Sequence, residues 1–157
     1  MALTESRFKY FDCSKIISED DEFYIANPTD SEKVHCVIFV FSCQYVDTLN
    51  QEYASSTLAF MKGLYHRDIP RIVILTHADL VTSSGLKNIF RSETIKSKVD
   101  FIRSYLGVPL ENIHPVQNFD ETTCGSTNLN KLVSIPLLLA LQQALHFACD
   151  TIDKKKH

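Results

Sequence analysis

The sequence predicts an α/β domain in which helices cover a parallel sheet in three layers. Two nearly unbroken apolar runs rich in β-branched residues, 34–42 and 71–75, have the character of strands buried on both faces. Segments with helical spacing alternate with such runs, so the order is strand, helix, strand, helix, strand, helix. Each connection is long enough for a right-handed crossover, which parallel neighbours require and antiparallel hairpins do not.

The elements follow in chain order. Residues 1–24 combine an aromatic group, Phe8, Tyr10 and Phe11, with the acidic run Glu19-Asp20-Asp21-Glu22, and no period emerges. This segment is expected to be irregular, with the domain proper over 25–152. The first strand is followed by a helix on which Tyr53, Thr57, Phe60, Met61 and Leu64 share a face, and Pro70 ends the pattern. The second strand, 71–75, leads into Thr76-His77-Ala78-Asp79. Ser92 is the expected N-cap of the next helix, with Ile95, Val99, Ile102 and Leu106 on its apolar side and Gly107 at its left-handed C-terminus. A shorter third strand lies within 112–119, followed by a loop over 120–127. The last helix, from about 130 to 149, presents Leu132, Ile135, Leu138, Leu139, Leu141, Leu145 and Ala148 as its apolar face, and Pro136 either bends it or marks its start. Residues 153–157 form a basic tail.

Composition narrows the function classes. At 157 residues the chain is the size of one domain, and 45% hydrophobic content suffices for a core. A net charge of −3 and a pI near 6.0 lack the cationic surplus that a nucleic-acid binder uses on phosphates. The longest apolar stretch, 136–148, is interrupted by Gln142, Gln143 and His146, so no membrane span is expected, and the start has no signal-peptide layout. Five cysteines without a C-x-x-C spacing point to free thiols rather than a disulfide framework or a zinc site. These features together predict a cytoplasmic protein. A thiol hydrolase built on Cys43 or Cys124 with His77 or His114 lacks an orienting acid and an oxyanion-hole glycine beside either cysteine, and the remaining histidines show no metal-ligand spacing.

In parallel sheets ligands bind beyond the carboxyl ends of the strands. There stand Ser42-Cys43-Gln44, Thr76-His77-Ala78-Asp79 and Gln117-Asn118-Phe119-Asp120. A strand ending in Thr-x-x-Asp offers a carboxylate that can accept two hydrogen bonds from a guanine edge. P-loop GTPases carry Asn/Thr-Lys-x-Asp at that place, whereas here His77 stands for the lysine. The plain alternative is a turn, for which Thr and Asp are equally suited.

From about Phe23 to Ile152 the chain resembles the interferon-induced protein 44 and 44-like family, GTPase-like proteins of innate immunity. The resemblance is carried by 34–41, by 73–79, by Ser97-Lys98-Val99, by Leu106-Gly107-Val108-Pro109, by Asn112-Ile113, by Asn118-Phe119 and by the leucine-rich last helix, all in matching order. It implies a P-loop GTPase-like fold of which only the C-terminal half is present, with Thr76, His77, Asp79 and Asn118 as guanine-base contacts. The phosphate-binding pattern G-x-x-x-x-G-K-[ST] is absent, since the four glycines, Gly63, Gly85, Gly107 and Gly125, include no such pair, and no D-x-x-G segment occurs. GTP hydrolysis by these residues alone is therefore not expected, and no cofactor is implied beyond weak binding of GTP or GDP. The expected function is a non-catalytic interaction module of the interferon-induced protein 44 type, acting in innate immune response through protein partners. The alternative is a guanine-nucleotide-binding protein, competent only with a complementing chain or dimer. In a GTPase sheet the strand at 34–41 would pair with the phosphate-loop strand, so its free edge is expected to be covered by residues 1–24, by a protein partner or by self-association.

Overall fold

The computed structural model describes residues 18–20, 24–82, 86–119 and 130–154. They form a three-stranded parallel sheet in the order β1 (Val37–Ser42), β2 (Arg71–Thr76), β3 (Ile113–Pro115), with helices α1 (Gln51–Tyr65), α2 (Glu93–Leu106) and α3 (Lys131–Lys154). The expected α/β class, parallel pairing and alternating element order are all present.

The period-2 geometry of β2 divides the core in two. Val73 and Leu75 face a large cluster with Phe41, Met61 of α1 and Ile95, Val99, Ile102 and Leu106 of α2. Ile72 and Ile74 face the other way, onto Val116 and onto Ala140 and Ala144 of α3. Helices α1 and α2 thus share one side of the sheet and α3 has the other. β2 is the strand buried on both faces that its continuous apolar run predicts.

α2 follows the expected plan closely. The Ser92 hydroxyl accepts a hydrogen bond from the Ile95 amide at 3.4 Å, and all four apolar-side residues are buried. Gly107 ends the helix at φ 63°, where its amide donates to the Arg103 carbonyl. In α1 the Asn50 side chain accepts from the Tyr53 amide at 2.7 Å, and Thr57, Met61 and Leu64 are buried.

Three expectations need correction. The first strand begins at Val37 rather than at 34 and is not buried on both faces: Ile38 and Val40 are 36% and 59% exposed. α3 lies over β2 and the end of β3, so no helix among the described residues covers that face of β1. Tyr53 is exposed rather than packed: it shares the helix face of Thr57 and Leu64 but sits in the first turn of α1, one turn before the first buried residue. The apolar face of α3 is also the opposite of the expected one. Val133, Ser134, Ala140 and Ala144 are buried, while Leu132, Ile135, Leu138, Leu139, Leu141 and Leu145 are at least 41% exposed. This helix is apolar all round, and small side chains let its backbone approach the sheet more closely than leucines would.

Pro136 lies inside α3, which starts earlier, at Lys131, with the Asn130 side chain accepting from the Leu132 amide at 3.1 Å. By length and composition alone α3 is long and apolar enough to cross a membrane. Its seat on the sheet is made by Ala140 and Ala144 and by Gln143, whose Nε2 donates to Asn112 Oδ1 at 2.7 Å; Asn112 Nδ2 donates in turn to the Arg71 carbonyl at 3.3 Å. The expected cover of β1 by residues 1–24 and the loop over 120–127 fall almost wholly outside the described residues.

Candidate functional site

The parallel sheet gathers the carboxyl ends of its strands, and backbone hydrogen bonds tie the segments beyond them. The Cys43 amide donates to the Thr76 carbonyl at 2.9 Å, and the Ala78 amide donates to the Val116 carbonyl at 3.1 Å. Thr76, His77, Asp79 and Asn118, remote from one another in part of the sequence, therefore share one rim.

Each has a defined local setting. The Thr76 hydroxyl donates to the Phe41 carbonyl at 3.2 Å and lies 3.1 Å from His77 Nδ1. His77 adopts the left-handed conformation, φ 56° and ψ 35°, which is uncommon for a residue with a Cβ, at the end of β2. Its Nε2 lies 3.5 Å from Asn118 Nδ2. The ring thus bridges the second and third strand ends. A single helical turn, Ala78–Val81, follows, anchored by fully buried Ala78.

Asp79 is the unusual member. Its Oδ1 is buried and has no hydrogen-bond partner. A buried carboxylate oxygen without a donor carries an uncompensated desolvation cost, and such atoms mark places where a ligand donor fits. A planar edge bearing two N–H groups is the complement of such a carboxylate. His77 presents an imidazole where a lysine stem would lie along a base, and it has no long cationic arm toward a phosphate.

Cys43 lies against this rim with its thiol out of contact with solvent. It is fully buried, and burial pushes its thiol up to about 11 despite the nearby Lys98 ammonium. His114, the other half of the thiol-hydrolase alternative, sits in β3 with its imidazole held below the ordinary histidine value by burial, an effect that Gln143 partly opposes. Cys124 lies outside the described residues. Among the described residues no group of three His, Cys, Asp or Glu side chains is placed to hold a metal ion.

Sequence reading missed the Asp47–Lys98 ion pair, 2.7 Å long, which fastens the turn after β1 to α2. The Lys98 hydrogen bond holds the Asp47 carboxyl below its usual range. The only available signal was a lysine on the flank of a well-predicted helix.

Comparison with known proteins agrees with the family resemblance. The chain is 25% identical over 153 residues to interferon-induced protein 44 of Mus musculus, a match covering 96% of this chain and 35% of that protein. It is 26% identical over 133 residues to interferon-induced protein 44 of Homo sapiens, covering 83% and 29%, respectively. It is 27% identical over 146 residues to human interferon-induced protein 44-like, covering 91% and 31%. The chain therefore spans about a third of the length of the curated relatives it matches. No family model matches the sequence, and no solved structure matches the fold. Over 83–96% of its length the chain is homologous to a C-terminal part of the interferon-induced protein 44 and 44-like proteins.

Proposed function

We propose that this region is a non-catalytic, GTPase-like interaction module that works through protein partners. One observation carries the reading. β1 is a six-residue strand without a charge, a proline or a bulge, and no described residue pairs with its outer edge. Its Ile38 and Val40 are exposed, and Ile38 lies beside Leu141 and Leu145 of α3. Unguarded edges next to exposed apolar surface are interaction sites, because both the backbone groups and the side chains gain from being covered. The interferon-induced setting is carried over from the names of the relatives, and a role in innate immune response is what the family resemblance implies. In interferon-treated cells, proximity labelling should mark a set of proteins that a Val40→Glu chain loses. An identical set from both chains would remove this reading.

A second reading, guanine-nucleotide binding, is favoured by the unpartnered Asp79 Oδ1 and by the shared rim of Thr76, His77 and Asn118. Without a phosphate loop among these residues, binding would rest on the base alone and forgo charge-assisted bonds worth about 1.5–3 kcal/mol each. Calorimetry with GDP and GTP, with and without magnesium, separates the two readings. The interaction module predicts no binding tighter than about 1 μM, roughly −8 kcal/mol. Tighter binding that Asp79→Ala abolishes would put the second reading in its place.

A further inference from the structure

We infer that the outer face of α3 is a self-recognition surface, on which a second copy of this chain docks with its own α3 running antiparallel. The surface lies on the side of α3 away from the sheet and is separate from the edge of β1, so the inference does not rest on the preceding reading.

Exposure defines the surface. Leu132, Ile135, Leu138, Leu139, Leu141 and Leu145 are between 41% and 65% exposed on one helix, within about 20 Å of its length at about 1.5 Å per residue. They cover the side and flanks of α3 that turn away from Val133, Ala140 and Ala144, which are buried. A single exposed leucine is ordinary, whereas a contiguous group of this size marks an interaction site.

The spacing within the group is that of a helix pair. Ile135, Leu138, Gln142 and Leu145 recur at three and four residues, the a and d positions of two heptads, with Leu139 and Leu141 on either flank. The stripe is symmetric about position 140. When two such helices run antiparallel about a two-fold axis there, Ile135 of one copy meets Leu145 of the other and Leu138 meets Gln142. The flanks close with Leu139 on Leu139 and Leu141 on Leu141, so the surface is its own complement. The two Gln142 side chains fall in adjacent layers at the centre, where one amide can meet the other, and a polar residue at such a position fixes register. The hydrocarbon of a bilayer offers that amide no partner, although α3 is long and apolar enough to enter one.

Charge sets the direction. On the outer side of the helix the stripe is bounded by exposed Lys131 at its amino end and by exposed Asp153 beyond its carboxyl end, while Lys154 lies further round toward the inner side. Antiparallel pairing brings each Lys131 toward the acidic residue and the negative helix terminus of the other copy. Parallel pairing would set Lys131 on Lys131 and Asp153 on Asp153.

The area sets the strength. At about 120 Å² for an aliphatic side chain, six half-exposed ones offer about 350 Å² on each copy. Gln142, His146 and Cys149 are exposed on the same side and bring the pair to about 1,000 Å² in all, where weak but specific interfaces begin. The dimer is therefore reversible, with a dissociation constant on the order of 10 μM.

Sedimentation velocity of this chain over a concentration series spanning that constant should show a monomer–dimer equilibrium. Leu139→Glu places two carboxylates face to face on the two-fold axis and should raise the dissociation constant at least about tenfold, with an unchanged circular dichroism spectrum. Leu139→Lys should do the same. An equimolar mixture of the two variants should pair again as a heterodimer, which requires position 139 of one copy to meet position 139 of the other. A chain monomeric throughout, a dimer indifferent to Leu139→Glu, or a mixture that stays monomeric overturns the proposal. Binding of a monomer to phosphatidylcholine vesicles that Leu139→Glu abolishes overturns it as well. A dimer lost in Val40→Glu and kept in Leu139→Glu also overturns it, and leaves the β1 edge as the interaction site.

Discussion

At the scale of single residues, the consequential groups are those whose surroundings disagree with their chemistry. Asp79 shows this with an orphaned carboxylate oxygen, and His114 with a ring in the sheet. The His114 pKa is lowered in the folded chain from an ordinary value near 6.5. The unfolded chain therefore binds the proton more readily, and folding stability from this group is complete above that value. It is lost as pH falls from about 6.5 through the lowered folded value. Chemical denaturation of wild type and His114→Gln at pH 7.5 and in mild acid should show the wild type losing more stability on acidification. Equal losses would mean that His114 does not feel its burial. Position alone placed Thr76, His77, Asp79 and Asn118 at strand ends in the sequence. It did not reveal the left-handed backbone at His77, nor that its ring reaches Asn118, because both depend on how β2 and β3 are set side by side.

At the scale of elements, legibility tracked amphipathicity. α2 alternates cleanly between charged and apolar residues, so its cap, face and glycine stop were all readable. Two glycines give opposite tests. Gly107 needs a positive φ, and Gly107→Ala should cost about 1 kcal/mol or somewhat more. Gly63 lies within α1 with open space where a Cβ would go, and Gly63→Ala should stabilise by about 0.5–1 kcal/mol. Thermal melts of both variants check the signs. α3 was legible as a helix and illegible as to its face, since leucines surround it and periodicity cannot choose among them. Its inner face is instead set by small residues. Ala144→Leu should therefore destabilise by about 1–3 kcal/mol through overpacking, while Leu138→Gln, at an exposed site, should stay within about 0.5 kcal/mol. The reverse order in denaturant titration would show that the helix is turned the other way.

At the scale of the whole molecule, what matters is which strand is interior. The run 34–42 reads as a strand buried on both faces, yet Ile38 and Val40 are open. Among the described residues β1 stands at the edge of the sheet, which leaves one of its faces without a covering helix. The relatives are about three times as long as this chain.

The sequence by itself determined the α/β class, the parallel pairing, the two caps of α2 and the family resemblance. These depend on local periodicity and on residue types at strand ends, which survive without knowledge of contacts. Only the tertiary structure decided which face of α3 is inner, that Cys43 is buried, that Asp79 Oδ1 has no hydrogen-bond partner, and that β1 has an open side among the described residues. Each of these depends on what packs against a residue from elsewhere in the chain, and an apolar run carries the same letters whether its second face is covered or waiting for cover.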